Sequence, residues 1–106
     1  MVQNKAGKYM EPSLDSVSAA AKAKMPSDFR VSITNSADPA AYPISGFTWL
    51  LVYQKQSDPV KGKALVEFLN WMLKDGQMFA PDLGYAPLPT EVNTMVQTAV
   101  KKIKVQ

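Results

Sequence analysis

Residues 41–55, AYPISGFTWLLVYQK, decide how this chain can fold. Within them, Phe47 to Tyr53 form a continuous run in which only Thr48 is not apolar. A short apolar run of this kind reads as a strand buried on both faces. Such a strand needs hydrogen-bonding neighbours on both edges, because its N–H and C=O groups have no water to turn to. The neighbours have to be sought in the remaining sequence.

Towards the N-terminus, Phe29-Arg30-Val31-Ser32-Ile33-Thr34 alternates apolar and polar, the period of a half-buried strand. Asn35 to Pro39 reads as a loop, and Pro43 belongs at a strand start or edge because it has no N–H to give. Further back, Lys5-Ala6-Gly7-Lys8 reads as a turn. Leu14, Val17 and Ala21 recur at helical spacing behind Pro12. This first helix is expected on a surface and to end near Lys24, ahead of Pro26.

Towards the C-terminus, Asp58-Pro59 is a helix start, with Asp58 as N-cap and Pro59 in the first turn. Val60, Ala64, Leu65, Phe68, Leu69 and Met72 share a face, which places a helix from there to about Lys74. Val66, Trp71 and Leu73 widen that face, so the helix is expected to be covered on more than one side. Gly76 suits a left-handed position just past its end. Residues 77–89 read as a packed, proline-rich connection with a short helical turn at 77–80. A last helix over 90–103 carries Val92, Met95, Val96, Ala99 and Ile103 on one face. The inventory is α/β: three helices, one long buried strand and one short strand. One short strand does not supply two edges, so either copies of the chain pair with each other or the chain is part of a larger fold.

The chain has 106 residues with 46% hydrophobic content, enough for one domain with a core. It has no Cys and no His, which excludes thiol nucleophiles, Cys/His zinc sites and histidine general bases. Net charge is +3, and Lys101, Lys102 and Lys104 form the one basic cluster. No aromatic residue interleaves with them, so they read as a solvated last turn complementing a helix dipole and not as a nucleic-acid surface. No segment reaches the ~20 apolar residues of a membrane helix. The opening MVQNKAGKYM lacks the apolar region of a signal peptide, so the sequence as written is expected to remain where it is made.

The segments YPISGFTWLLV and FLNWMLKDGQMFAPDLGYAPLP, preceded by GKYMEPSLDSVSAAA and DFRVSITN, resemble the C-terminal part of the phosphate-binding proteins that serve bacterial phosphate ABC transporters. The order and spacing of these pieces carry the resemblance over nearly the whole chain. It implies an incomplete lobe of a two-lobed periplasmic binding fold roughly three times longer, closing around the anion. On that pattern residues 1–33 come from the second lobe, 34–46 make a hinge crossing, and 47–106 return to complete the first lobe as a single partial domain. The missing neighbours of residues 47–53 would then lie in the family's earlier sequence. The implied role is capture of inorganic phosphate for an ABC permease. The parent would be periplasmic, or extracellular and lipid-anchored, with no enzymatic activity, cofactor or metal.

The family's phosphate ligands are hydroxyls, helix N-terminal N–H groups, an Arg and an Asp, in motifs that precede this portion. Arg30, in DFRVSI, does not match the family's Arg motif, so no catalytic, ligand-binding or metal-binding residue is assigned. Ser13 reads as a helix cap, and Thr34-Asn35-Ser36 as turn chemistry. Trp49 and Trp71 read as core, and Met72, Met78 and Met95 as core fillers. Asp75, Asp82 and Glu91 are not spaced as an acid/base pair, and Lys61 and Lys63 are expected to be exposed. The chain by itself is thus expected to bind phosphate poorly. The alternative is a small interaction module whose copies associate by pairing strands.

Overall fold

The computed structural model describes all residues, Met1–Gln106. Its elements run β1 (Val2–Gln3), β2 (Tyr9–Met10), α1 (Leu14–Ala20), β3 (Lys55–Gln56), α2 (Pro59–Leu73), two 3-10 turns at Asp75–Phe79 and Pro81–Leu83, α3 (Thr90–Val100) and β4 (Lys104–Val105). The three helices stand where the apolar periodicity places them. The strands do not: there are two separate two-stranded pairs, and neither lies in the apolar run.

β1 and β2 pair antiparallel, Val2 opposite Met10 and Gln3 opposite Tyr9. The expected turn lies between them, with Gly7 at φ 81°, a backbone conformation open to glycine at no steric cost. Asn4 organises this hairpin. Its side-chain carbonyl accepts from the N–H of Ala6 (3.1 Å) and of Lys8 (3.0 Å). Its amide donates to the carbonyls of Pro39 (3.0 Å) and Ala41 (3.2 Å), so the hairpin is fastened to a loop far along the chain.

α1 starts at a reciprocal cap. Ser13 Oγ accepts from Ser16 N–H (3.1 Å), and Ser13 N–H donates to Ser16 Oγ (2.9 Å). The helix ends at Ala20, short of Lys24, and continues only as a turn. Ala19, Ala20 and Ala21 are buried, so this Ala-rich helix lies against the chain and packs Ala20 and Ala21 on Ile33 and Ala41.

The strand expected at 29–34 is absent. Phe29 and Asn35 take positive φ (61° and 53°), and Val31 N–H bonds back to the Phe29 carbonyl (3.0 Å). Val31 and Ile33 still turn inward while Arg30, Ser32 and Thr34 face solvent. The alternation therefore records which side chains are buried, and no ladder accompanies it because no strand lies alongside.

The doubly buried strand expected at 47–53 is likewise absent. The run passes without turn or bend, yet no backbone N–H from Phe47 to Tyr53 donates to any backbone carbonyl of the chain. Trp49 (55%), Leu50 (57%), Leu51 (98%) and Tyr53 (86%) are exposed. Only Phe47 and Val52 pack, one against each of two small hydrophobic clusters. The side chains are those of an inner strand, and no other strand of the chain lies alongside them.

α2 begins as its sequence dictates: Asp58 Oδ1 accepts from Val60 N–H (2.9 Å) and Lys61 N–H (3.0 Å), and Pro59 opens the helix. Gly62 is buried where the helix crosses the β3–β4 pair, and a Cβ there would stand 2.7 Å from Gln56 Cβ and 3.1 Å from Val105 Cγ1. β3 and β4 run parallel, Lys55 opposite Lys104 and Gln56 opposite Val105. Lys104 N–H adds a bond to the Gln54 carbonyl (2.7 Å), so Lys104 belongs to a strand and not to a last helical turn. Past α2 the chain enters a 3-10 turn in which Gly76 does not take positive φ. What that position needs is closeness: a Cβ would lie 3.3 Å from Trp71 Cζ3 and 3.4 Å from the Trp71 carbonyl. The left-handed glycine is Gly84, at φ 79°.

Two orphan carbonyls at the end of α2 are met by side chains. Gln77 donates to the Met72 carbonyl (3.1 Å) and Asn93 to that of Leu73 (2.7 Å). Leu69 and Leu73 of α2 pack with Val100 of α3, flanked by Leu65, Val66 and Val96. The opposite stripe of α2 is bare: Val60, Phe68 and Trp71 are exposed, so the helix is covered on one side only. Trp49, Trp71 and Met78, expected in a core, all lie at the surface for the same reason. Only 14 of the 106 residues are buried, and the radius of gyration is 15.7 Å, against ~13 Å for a compact domain of this length. The molecule measures 51 × 28 × 17 Å, and its two small clusters share no residue.

Candidate functional site

A phosphate site requires convergent donors: N–H groups at a helix start, hydroxyls, or a guanidinium held in place. Two of the three α-helix starts are already capped by side chains, and the third, at α3, carries a carboxylate in its first turn but no side-chain cap. At α1 the Ser13–Ser16 cap takes the donors, at α2 the Asp58 carboxylate sits on them, and α3 carries Glu91 in its first turn. A carboxylate at a helix N-terminus satisfies the same dipole that would attract an anion, and repels the anion itself.

The remaining candidate side chains do not converge. Arg30 is the one arginine, its side chain is largely exposed, and its contact is a loose ion pair with Asp28 at 3.9 Å. Thr34 Oγ1 donates to the Ser45 carbonyl (3.2 Å), and Ser36 Oγ accepts from Asp38 N–H (3.4 Å). The Ser36 hydroxyl thus serves a local turn, as its sequence suggests, whereas the Thr34 hydroxyl ties residue 34 to a carbonyl eleven residues on. Asp75, Asp82 and Glu91 are solvent-exposed, as are Lys61 and Lys63; Lys61 lies 3.9 Å from Asp58. No three acidic side chains gather in a way that could hold a metal ion.

The larger concavity is a groove of about 1350 Å³ between the apolar run and the α2–α3 pair, lined by residues such as Ile33, Leu50, Val52, Leu69, Val96 and Val100. Its charged members are Asp28, Arg30 and Lys102. A groove with this lining suits packing of apolar side chains and offers little to a small, strongly hydrated anion. A smaller one of about 690 Å³ lies between α1, Gly46–Leu50 and the Tyr85–Pro89 connection, and is also mostly apolar. The Ser18 hydroxyl reaches across towards the Pro87 carbonyl at 3.4 Å.

The exposed aromatic group Phe68, Trp71 and Phe79 forms a second surface feature. Phe68 and Trp71 stack with centroids 5.8 Å apart, and Trp71 and Phe79 stand 6.1 Å apart. In the apolar run, Trp49 meets Phe47 edge to face at 6.3 Å and donates its Nε1–H to the Phe29 carbonyl (3.2 Å). Asn4 is the polar residue whose importance was least visible in the sequence. The signal was present in its position two residues before Ala6 and four before Lys8, the spacing of an Asx-type turn.

No family model matches the chain. Individual proteins do. It is 34% identical to the phosphate-binding protein PstS of Pasteurella multocida across 94% of this chain and 30% of that protein. It is 33% identical to the PstS of Xylella fastidiosa, across 91% of this chain and 27% of the relative. With the PstS of Methanocaldococcus jannaschii it shares 36% identity, covering 97% of this chain and 30% of the relative. Over nearly all of its length the chain is therefore similar to a part of phosphate-binding proteins. It spans less than a third of the length of each of these three relatives.

Proposed function

We propose that this sequence does its work as one portion of a phosphate-binding protein, the portion that supplies wall and hinge while other segments supply the anion's ligands. The observation that carries the reading is the unpaired run Phe47–Tyr53, apolar as an inner strand is and without a backbone partner in the chain. Similarity confined to under a third of longer proteins supports it, because those proteins have sequence left over to provide the partners. In this reading residues 1–33 belong to one lobe, 34–46 cross a hinge, and 47–106 complete the other lobe. The bare stripe of α2 and the apolar groove are packing surfaces of the assembled lobes.

The molecule is then a solute receptor and not an enzyme. It captures inorganic phosphate outside the cytoplasm, in the periplasm or on a lipid anchor, and passes it to an ABC permease. None of residues 1–106 is a phosphate ligand. Isothermal titration of the 106-residue chain with phosphate tests that part: no heat of binding is expected at micromolar phosphate, and a saturable isotherm would mean that a site was overlooked. The wider reading is tested by exchanging residues 1–106 for the matching part of the Pasteurella multocida protein. A chimera that melts cooperatively should bind phosphate, and one that melts cooperatively without binding it would sink the assignment.

A further inference from the structure

We propose that, when the 106-residue chain is alone, the free edge of residues 47–53 is taken by the same residues of a second copy, in an antiparallel pair about a two-fold axis at Leu50. This does not rest on the phosphate reading; it rests on the unpaired run and on what that run can accept. Backbone groups of Phe47–Tyr53 make no backbone–backbone bond, only the Tyr53 carbonyl accepting from the Gln56 side chain (2.6 Å), and the segment passes without turn or bend, so it presents a ready template for another strand. Natural edges are protected by charge, proline or bulges. This one is not: no charged residue occurs from Pro39 to Gln54, and no proline from Ile44 to Asp58.

The absence of charge also points to the occupant. A two-fold axis at Leu50 sets Phe47 opposite Tyr53, Thr48 opposite Val52, and Trp49 opposite Leu51, each pair occurring twice. These are an aromatic–aromatic, a β-branched and an aromatic–aliphatic pair, all suited to an antiparallel ladder, and no like charges face each other. The interface is isologous and closes at two copies, as a two-fold contact must. Leu51 and Tyr53, the most exposed members of the run, gain the most cover. The paired strands would bury their apolar side chains beside the groove that already receives Leu50 and Val52.

Position 50 gives opposite tests in one place. The chain has no cysteine, so Leu50→Cys introduces a single thiol that would face its own copy across the axis. Mild oxidation should convert Leu50→Cys to a disulfide dimer, while Val60→Cys, on α2 and more exposed (78% against 57%), should not cross-link comparably. Leu50→Lys instead sets two ammonium groups opposite each other and should raise the dimer dissociation constant at least ~10-fold in analytical ultracentrifugation, with helical circular dichroism unchanged. A chain that sediments as a monomer up to submillimolar concentration would overturn the proposal. So would equal cross-linking at positions 50 and 60, or a dimer indifferent to Leu50→Lys. Failure here would leave the phosphate reading intact, because a lone monomer can still be a portion of a receptor.

Discussion

Replacing Asn4 by Ala should loosen the N-terminal unit out of proportion to the size of the change. Asn4 is 5% exposed and takes part in four side-chain hydrogen bonds, two as acceptor and two as donor. Ala41, whose carbonyl receives one of them, is completely buried. At a net ~1 kcal/mol per bond the sum is about 4 kcal/mol, and water reaching the half-exposed Pro39 and Lys8 groups should recover part of it. The expected loss is ~2–4 kcal/mol in the unit that holds the hairpin, the 39–41 loop and α1. Amide hydrogen exchange followed by NMR reads it directly: in Asn4→Ala the protection of Lys8, Ala41 and Tyr42 should fall together, by ~30-fold for the lower figure. Val92 to Val100 in α3, which touch none of these groups, should keep their exchange rates. If Asn4→Ala lowers protection by less than a few-fold, or lowers it equally in α3, then Asn4 is not the fastening described.

Other substitutions have sharper local outcomes. Gly62→Ala should destabilise α2 on the β3–β4 pair by ~1–2 kcal/mol, since the 2.7 Å approach to Gln56 Cβ outweighs the ~1 kcal/mol gain in helix propensity; a raised urea midpoint would contradict this. Asp58→Ala removes the acceptor for Val60 and Lys61 N–H and should cost ~1 kcal/mol in the same urea assay, with Asp58→Ser largely neutral. Leu51→Ser should leave monomer stability within ~0.5 kcal/mol because the side chain is almost wholly exposed, while Leu69→Ala, in the α2–α3 cluster, should cost at least ~2 kcal/mol. Equal effects of the last two would mean that the apolar run is packed after all.

The helices were legible from local chemistry. Asp58-Pro59 set the start of α2, and the spacing of Val92, Val96 and Ala99 set the inner face of α3, because caps and a 3.6-residue period act within one segment. The strands were not, because a strand is defined by what lies beside it. Residues 29–34 and 47–53 have the side chains of strands and no ladder, whereas Lys55–Gln56 and Lys104–Val105 have a ladder and side chains that read as a polar exit and a solvated tail. Burial failed in the same direction: Trp49 and Trp71 are core residues by type, and no other part of the chain covers them. Gly76 showed a further limit, since a glycine demanded by the nearness of Trp71 looks the same in sequence as one demanded by a left-handed turn. For the candidate site, the roles of Ser13 as a cap and Ser36 as a turn residue were readable, and the reaches of Thr34 to Ser45 and of Asn4 to Pro39 and Ala41 were not, because they join residues far apart in the chain.

Hydrogen exchange at the amides of Phe47–Tyr53 tests the central claim most directly, measured in the dilute 106-residue chain and again with the chain embedded in a complete phosphate-binding protein. The account predicts exchange close to the unprotected rate in the first and strong, uniform protection in the second. Protection of these amides in the dilute monomer, or their continued rapid exchange in the complete protein, would contradict it.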